Sequence, residues 1–598
     1  MKLSKYLVFC YLSLVLSAIN FNYESKYGNG LNVDEQTQDT SNYYYFENLL
    51  DVNLTYDNLY IYSQLEYSNS PIYGIDRIAI DSLANSYFIE YSNSNTVFKW
   101  GHIQTLYGYG LSLNTFQDQS TDFDNRIKGV EFKYSPSDFM DLFFISGEGV
   151  FGSKTNGGLR VNNLLFNHEL DSYGAQLYTD IGDLLILSSN KKTYYQPEIY
   201  NTLLSSNTKL SVDMQGFFSD VLVDPNLGFA AWDSLTSLES SVNLQSLNLG
   251  YSKTLGNFDI YFENIWDTYN KILRDDLVDS QSKYFSISTD INDISFVYEY
   301  KDYNRLYYMP ISSNPPLVFG ESTSVLMSRN QHNINFSDEI GHQIESRFEL
   351  KDISFLMNLS MGRLHQGIDY TLFDYDTFEQ SYHTYDAPSF SDILGLGPAD
   401  GMDFLNQDLR AHNPFRDFYI EASGWRKNNT IYYKIGYNSN YSYDGSKNYQ
   451  SRTFPAQFVI GFDNQNSLTI YYETQKTKDL FEEFVLDDDG EQITTYDYHV
   501  YKSRYMSLSY HIAKFGSITY FYDKEVKRFN HIDYDDVHSD DAKRNSWEGF
   551  ELTLELSSTM QFSIFKGSQK GGLVCTNGIC AVQPSFEDGV KLTLRALF

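Results

Sequence analysis

Along the last nine residues of the chain, apolar and polar side chains take turns. Val590, Leu592, Leu594, Ala596 and Phe598 fall on one face of an extended backbone; Lys591, Thr593, Arg595 and Leu597 fall on the other. Period-two alternation of this kind predicts a β-strand with one apolar face and one wetted face. The same pattern recurs upstream. Phe550, Leu552, Leu554 and Leu556 alternate with Glu551, Thr553 and Glu555, and a Ser557-Ser558-Thr559 turn leads to Met560, Phe562 and Ile564. Met506 to Ile512 turns at Lys514 to Gly516 and returns through Ile518, Tyr520 and Tyr522. Ala456, Phe458 and Ile460 pair with Leu468, Ile470 and Tyr472 around residues 463–466, and Ile344, Phe348 and Leu350 with Phe355 to Met361 around Lys351-Asp352.

Fuzzier hairpins turn near Asn428, Asn292, Gly256, Gly182, Ser137, Asn93 and Asp57. Eleven short turns, a first strand near Asn20 to Tyr27 and the final strand predict about 24 strands. The fold class is therefore all-β: a transmembrane antiparallel up-and-down barrel, with short periplasmic turns, long extracellular loops and both termini in the periplasm. Outer loops are expected near residues 193–241, 302–340, 366–414, 475–498, 527–546 and 566–588. The stretches 193–241 and 366–414 are too long and irregular for hairpins, so at least one is expected to cover the mouth or enter the lumen. No plug domain is expected ahead of the first hairpin.

Composition changes the picture in three ways. Mean hydropathy is negative, at −0.41, which fits a barrel because only alternate residues face lipid. The 52 Tyr and 43 Phe suit the aromatic girdles at the two edges of an outer-membrane lipid layer. The net charge of −34 excludes an ordinary nucleic-acid partner, since phosphates need Lys and Arg. Lys2 and Lys5, the apolar run Tyr6 to Leu16 and Ser17-Ala18 read as a signal peptide over residues 1–18. That run is shorter than the about 20 residues of a membrane-spanning helix.

The segment Lys99 to Pro136 carries the most distinctive motif, with Gly101, Gly108 and Gly110 interleaved with Tyr107 and Tyr109. Glycine inside a strand marks a bulge, a bend or close backbone approach. Asp118, Asp122, Asp124 and Arg126 follow. They belong either to a solvated loop between two strands or to a loop turned inward, with Asp122, Asp124 and Arg126 lining the channel. This segment, together with GGLVCTNGIC, Pro584 and the FEDGVKLTLR stretch before Phe598, resembles an uncharacterised family of large outer-membrane barrels from Bacteroidota and related bacteria. The resemblance implies the fold and the location and carries no activity or catalytic residue with it. The terminal strand ending in Phe598 also resembles the signal by which the barrel assembly machinery recognises such proteins.

Inward positions form a mixed-charge lumen that includes Glu131, Lys133, Glu299, Lys301, Arg347, Glu349, Glu551, Glu555, Lys591 and Arg595. Such charges either pair across strands and hold the register or form rings that tune selectivity. Two acidic clusters, Asp487, Asp488, Asp489 and Glu491, and Asp533, Asp535 and Asp536, are weak candidates for calcium, which takes several oxygen ligands from a flexible loop. No other cofactor is implied. Ser-His-Asp order, HExxH and phosphate-cradling loops are absent from the sequence, so no enzyme is expected. The reading favoured is a passive or loop-gated channel for a small solute. The alternatives are a surface-exposed binding or adhesion scaffold and a partner in envelope secretion.

Cys575 and Cys580 remain after removal of the signal, with four residues between them. An even pair in an exported chain reads as a disulfide. Thiol labelling of protein taken from cells without reductant should find neither cysteine reactive; labelling of both would refute the bridge.

Overall fold

A computed structural model describes all residues other than 1–18, 34–39, 70–83, 119–122, 152–165, 196–239, 271–276, 306–311, 321–323, 331, 333, 337, 366–367, 370–372, 375–378, 381–382, 385–387, 395–411, 428, 444–447, 463–464, 487–491, 530–545, 577–578 and 584. Its strands join into one 24-stranded antiparallel sheet in which each strand pairs with the next along the chain. The ring closes where Ile19–Val33 pairs with Phe586–Leu597, Asn22 opposite Leu597 and Tyr27 opposite Leu592.

The alternation read from the sequence is the alternation of the wall. Register places Phe458 beside Ile470, Ile470 beside Leu508, Leu508 beside Tyr520 and Tyr520 beside Phe550, one apolar row across five strands. A second row runs through Phe98, Phe132, Phe144 and Tyr173. All four of these rings are exposed on the outside of the sheet. Large apolar side chains on the outside of a closed strand ring form a belt that suits lipid. The inner face carries Ser, Asn, Gln and charged residues, so each strand separates two solvents.

The eleven short turns lie where the pattern places them, between Tyr56 and Leu59, Ser92 and Thr96, and so on to Ser557 and Met560. Asp57 (φ 48°) and Asn292 (φ 54°) adopt the left-handed conformation that tight hairpins require and that Asp and Asn tolerate. Both described termini lie at this same end of the ring.

At three of the expected outer loops the described chain is largely strand or turns inward. Residues 475–498 are mostly strand: Ser467–Leu486 and Gln492–Ile512 run 20 and 21 residues, because the extended pairing continues well past the apolar belt. Residues 566–588 are also largely strand. The wall strand continues to Gln569, Gly572–Thr576 pairs with Ile579–Gln583, and the last wall strand begins at Phe586. Cys575 stands opposite Cys580 in that small hairpin; the two side chains lie outside the described residues. Between residues 302 and 340, strand persists to Asn304 and resumes at Asp338, and the described chain between them turns into the barrel. Residues 1–18, 196–239 and 530–545 lie outside the described residues, so the signal peptide and most of two expected loops do too. Within 366–414 the described pieces are two small strand pairs and the helix Phe390–Leu394.

Phe598 ends the chain on the seam. Its amide donates to the Phe21 carbonyl at 2.8 Å, and its carbonyl accepts from the Phe21 amide at 3.0 Å. Deleting it removes two backbone bonds and the terminal aromatic where closure happens, a loss of about 1–3 kcal/mol. The truncated protein should accumulate less heat-modifiable barrel in membranes than the full chain, as read by unboiled gel electrophoresis. Equal amounts would contradict a role for this residue in closure.

Candidate functional site in the barrel lumen

Two connections at the long-loop end fold inward and fill part of the lumen. The first leaves the wall after Thr96–Ile103 and returns at Ile127–Ser137. Between them, Thr105–Tyr107 pairs with Leu113–Thr115 in a small hairpin whose apex is Gly108-Tyr109-Gly110. Tyr107 stacks on inward-facing Phe143, centroids 3.8 Å apart, and donates to Glu131 at 3.3 Å. Burial, and then the Glu131 carboxylate, pushes the Tyr107 hydroxyl above its ordinary pKa, so it stays a donor. Ile103, Leu113 and Ile127 join Ile145, Leu170, Leu185 and Leu187 in an apolar cluster inside the barrel.

The apex is held by one buried carboxylate. Glu263, on the wall strand Phe258–Asn270, accepts the Tyr109 amide at 2.7 Å, the Tyr261 hydroxyl at 2.8 Å and the Asn248 amide at 2.6 Å. Gly108 and Gly110 have φ of 63° and 86°. A Cβ on Gly108 would lie 2.7 Å from a Glu263 oxygen, and one on Gly110 2.7 Å from the Asn314 carbonyl. Close approach is thus the reason for both glycines.

The second inward segment follows Ile294–Asn304. Arg305 anchors its start, donating to Asp267 at 2.6 Å and to the Leu111 carbonyl of the first segment at 3.1 Å. The two segments also bond backbone to backbone: Asn114 donates to Ser312 at 2.7 Å and Asn314 to Gly110 at 3.1 Å. Further along, described residues of the segment meet another part of the wall. A single helical turn, Val325–Ser328, meets a second buried carboxylate, Glu473, which accepts the Val325 and Leu326 amides at 3.1 and 2.6 Å and the Tyr471 hydroxyl. Arg329 pairs with Asp523, and Asn330 donates to Gln475 at 2.7 Å. On the return, His332 stacks on Phe415 at 3.8 Å and contacts Glu339 at 3.1 Å. Beyond the next strand pair, His365 bridges Asp302 and Asp338, both at 2.9 Å. Burial opposes its charge, but the two carboxylates outweigh burial and raise its pKa.

The residues expected in the lumen divide into several groups. Asp124 and Arg126 face each other at 2.8 Å, and Arg126 also donates to Ser86 at 2.7 Å, so they secure the return of the first inward segment; Asp122 lies outside the described residues. Arg347 pairs with Glu345 at 2.8 Å and, still largely exposed, lines a luminal cavity of about 420 Å³. Glu349 accepts from Ser354 near a short turn. Glu555 is exposed at the turn end of its strand. Arg595 pairs at 2.8 Å with Glu24, its register partner across the seam. Glu551 and Lys591 line a second cavity of about 450 Å³. Cross-strand pairing therefore accounts for Lys133 with Asp141 at 2.8 Å, while Lys301 with Glu339 is fully buried beneath the second segment. The acidic clusters Asp487, Asp488, Asp489 and Glu491, and Asp533, Asp535 and Asp536, lie outside the described residues.

Glu263 and Glu473, the two anchors, were not distinguishable in the sequence. Each is one inward polar residue in an alternating strand. The signal on the other side of the first contact was present, because Gly108 and Gly110 marked a close approach without naming its partner.

A family model described as "Family of unknown function (DUF6029)" matches residues 8–167, a stretch that includes the Lys99 to Pro136 motif. No curated protein sequence matches the chain. Among solved structures, the P pilus usher PapC translocation pore is similar with a TM-score of 0.40 and 7% identity, over 97% of this chain and 99% of that one. The FrpB iron transporter from Neisseria meningitidis gives 0.42 and 9%, over 98% and 83%. Pseudomonas aeruginosa OpdO gives 0.33 and 9%, over 71% and 93%. Likenesses this distant carry no inference about cargo or mechanism.

Replacing Glu473 by Ala strips the acceptor from two backbone amides, at roughly 1–3 kcal/mol for each left unsatisfied. Hydrogen exchange at Val325 and Leu326 should accelerate while the wall strands stay protected. Unchanged exchange there would show that the carboxylate does not hold the segment.

Proposed function

We propose that this chain is an outer-membrane channel for small solutes, narrowed by two of its own inward segments. In this reading the short turns and both termini face the periplasm. The observation that carries it is the arrangement inside the ring. A ring of 24 strands encloses far more space than side chains fill, and the described residues within 104–118, 123–126, 312–320 and 324–336 occupy part of the lumen. These segments are tied to the wall by polar contacts at Glu263, Arg305, Glu473 and Arg329, and water-sized space remains beside them. These few discrete buried contacts hold the segments at defined places in the lumen, as a fixed narrowing of a passage requires.

A second reading, an outward-facing binding scaffold, draws on a different observation. The strands Ser467–Leu486 and Gln492–Ile512 are about twice the 9–11 residues that span a bilayer, so their hairpin would stand well clear of the membrane.

Planar-bilayer recording tests the first reading. The full chain should give small, discrete conductance steps, and replacing residues 312–336 by a short Gly-Ser linker should enlarge them several-fold without changing barrel yield. Absence of current from both proteins, with the barrel shown to be folded, would overturn transport and favour the scaffold.

A further inference from the structure

The luminal cavity lined by Glu551 and Lys591 has a chemistry only partly used in holding the second inward segment to the wall. It lies between the helical turn Val325–Ser328 and the wall strands from Gln492–Ile512 round to Phe586–Leu597, with a volume of about 450 Å³. That falls within the range of small-molecule sites, roughly 300–1,000 Å³. Tyr505, Phe521, Trp547 and Phe565 supply aromatic wall; Ser507, Thr519, Ser563 and Thr593 supply hydroxyls. Phe521 and Phe565 lie nearly parallel, 5.3 Å apart.

Three cations line this space, Arg329, Lys570 and Lys591, against two carboxylates, Asp523 and Glu551. In a chain of net charge −34, that local balance is unusual. Two of the cations are already matched: Arg329 by Asp523 and Lys570 by Glu525 at 2.6 Å. Lys591 is not. Among the described residues no carboxylate comes within ion-pair reach of it. Its one hydrogen bond goes to the neutral Gln569 oxygen at 2.7 Å, and its ammonium sits over the Phe586 and Phe565 rings at 4.4 and 5.5 Å. Glu551 lines the same cavity and accepts from Thr553 at 3.3 Å; its charge acts on Lys591 from beyond ion-pair distance.

A cation held among aromatic rings and facing a partly enclosed space gains from an incoming anion, because desolvation there strengthens a charge-assisted hydrogen bond. We infer that this cavity binds a small organic carboxylate carrying a flat apolar ring, the carboxylate on Lys591 and the ring against Phe521 and Phe565. The inference rests on the transport reading for its biological sense, since it would make the cavity a solute station beside the second inward segment. Its physical basis is independent of that reading.

Titration calorimetry on the full barrel in detergent, with benzoate as the probe, tests it. Benzoate should bind, whereas benzyl alcohol, which keeps the ring without the charge, and acetate, which keeps the charge without the ring, should each bind roughly tenfold or more weakly. Lys591→Gln should lower benzoate affinity to the level of benzyl alcohol. Gln569→Glu gives Lys591 a counter-ion in place and should do the same, so the test survives if one variant fails to assemble. Benzoate binding unchanged in either folded variant, or benzyl alcohol binding as tightly as benzoate, would overturn the site. Current through bilayers without any benzoate binding overturns this inference and leaves transport standing. Benzoate binding that depends on Lys591 in a barrel without current supports the site and removes transport.

Discussion

Every backbone amide and carbonyl that enters lipid needs a partner within the protein, and in this chain the partner of the first strand is the last one. An open sheet of 23 pairings would leave two edges of unsatisfied groups, each costing several kcal/mol in hydrocarbon. The pairing of Ile19–Val33 with Phe586–Leu597 removes both edges at once. Closure thus depends on contacts between residues separated by nearly the whole chain, so the wall becomes stable only when its two ends meet. Side chains reinforce that seam on the wetted face: Arg595 pairs with Glu24, and Glu24, Lys26 and Glu47 continue the charge ladder into the second strand. On the lipid face no such ladder is needed, and aromatic and aliphatic rows take its place.

Closing so many strands creates a space that the wall cannot fill with its own side chains, and the chain answers with its connections. The two inward segments follow one design. Each presents backbone amides to a buried wall carboxylate, Glu263 for the first and Glu473 for the second, and each carboxylate also accepts a neighbouring tyrosine hydroxyl. Loops folded into a lumen carry polar backbone with them, and a carboxylate that accepts two or three N–H or O–H groups satisfies it at one point. The segments also bond to each other through Asn114, Ser312, Asn314 and Gly110. The two segments are therefore tied to each other as well as to the wall.

The charge distribution follows from the same geometry. Most inward charges are spoken for, either across strands, as with Lys133 and Asp141, or beneath an inward segment, as with Lys301 and Glu339. Lys591 is set apart because its strand neighbours offer it rings and an amide in place of a carboxylate. Among the described residues several luminal charges are thus paired, and Lys591 lies where the wall does not complete a pair.

The sequence by itself determined the wall. Alternation has a fixed period of two, and each side chain's face follows from its parity alone, so hairpins such as Phe458 with Ile470 and Leu508 with Tyr520, the eleven turns and the count of 24 strands were all legible from local pattern. Only the tertiary structure decided what lies inside. The first inward segment meets Glu263 more than a hundred residues away, and Glu473 meets Leu326 across 147 residues. Such partners share no periodicity. Their meeting is set by the diameter and register of a closed ring, and neither quantity exists until the first and last strands have paired.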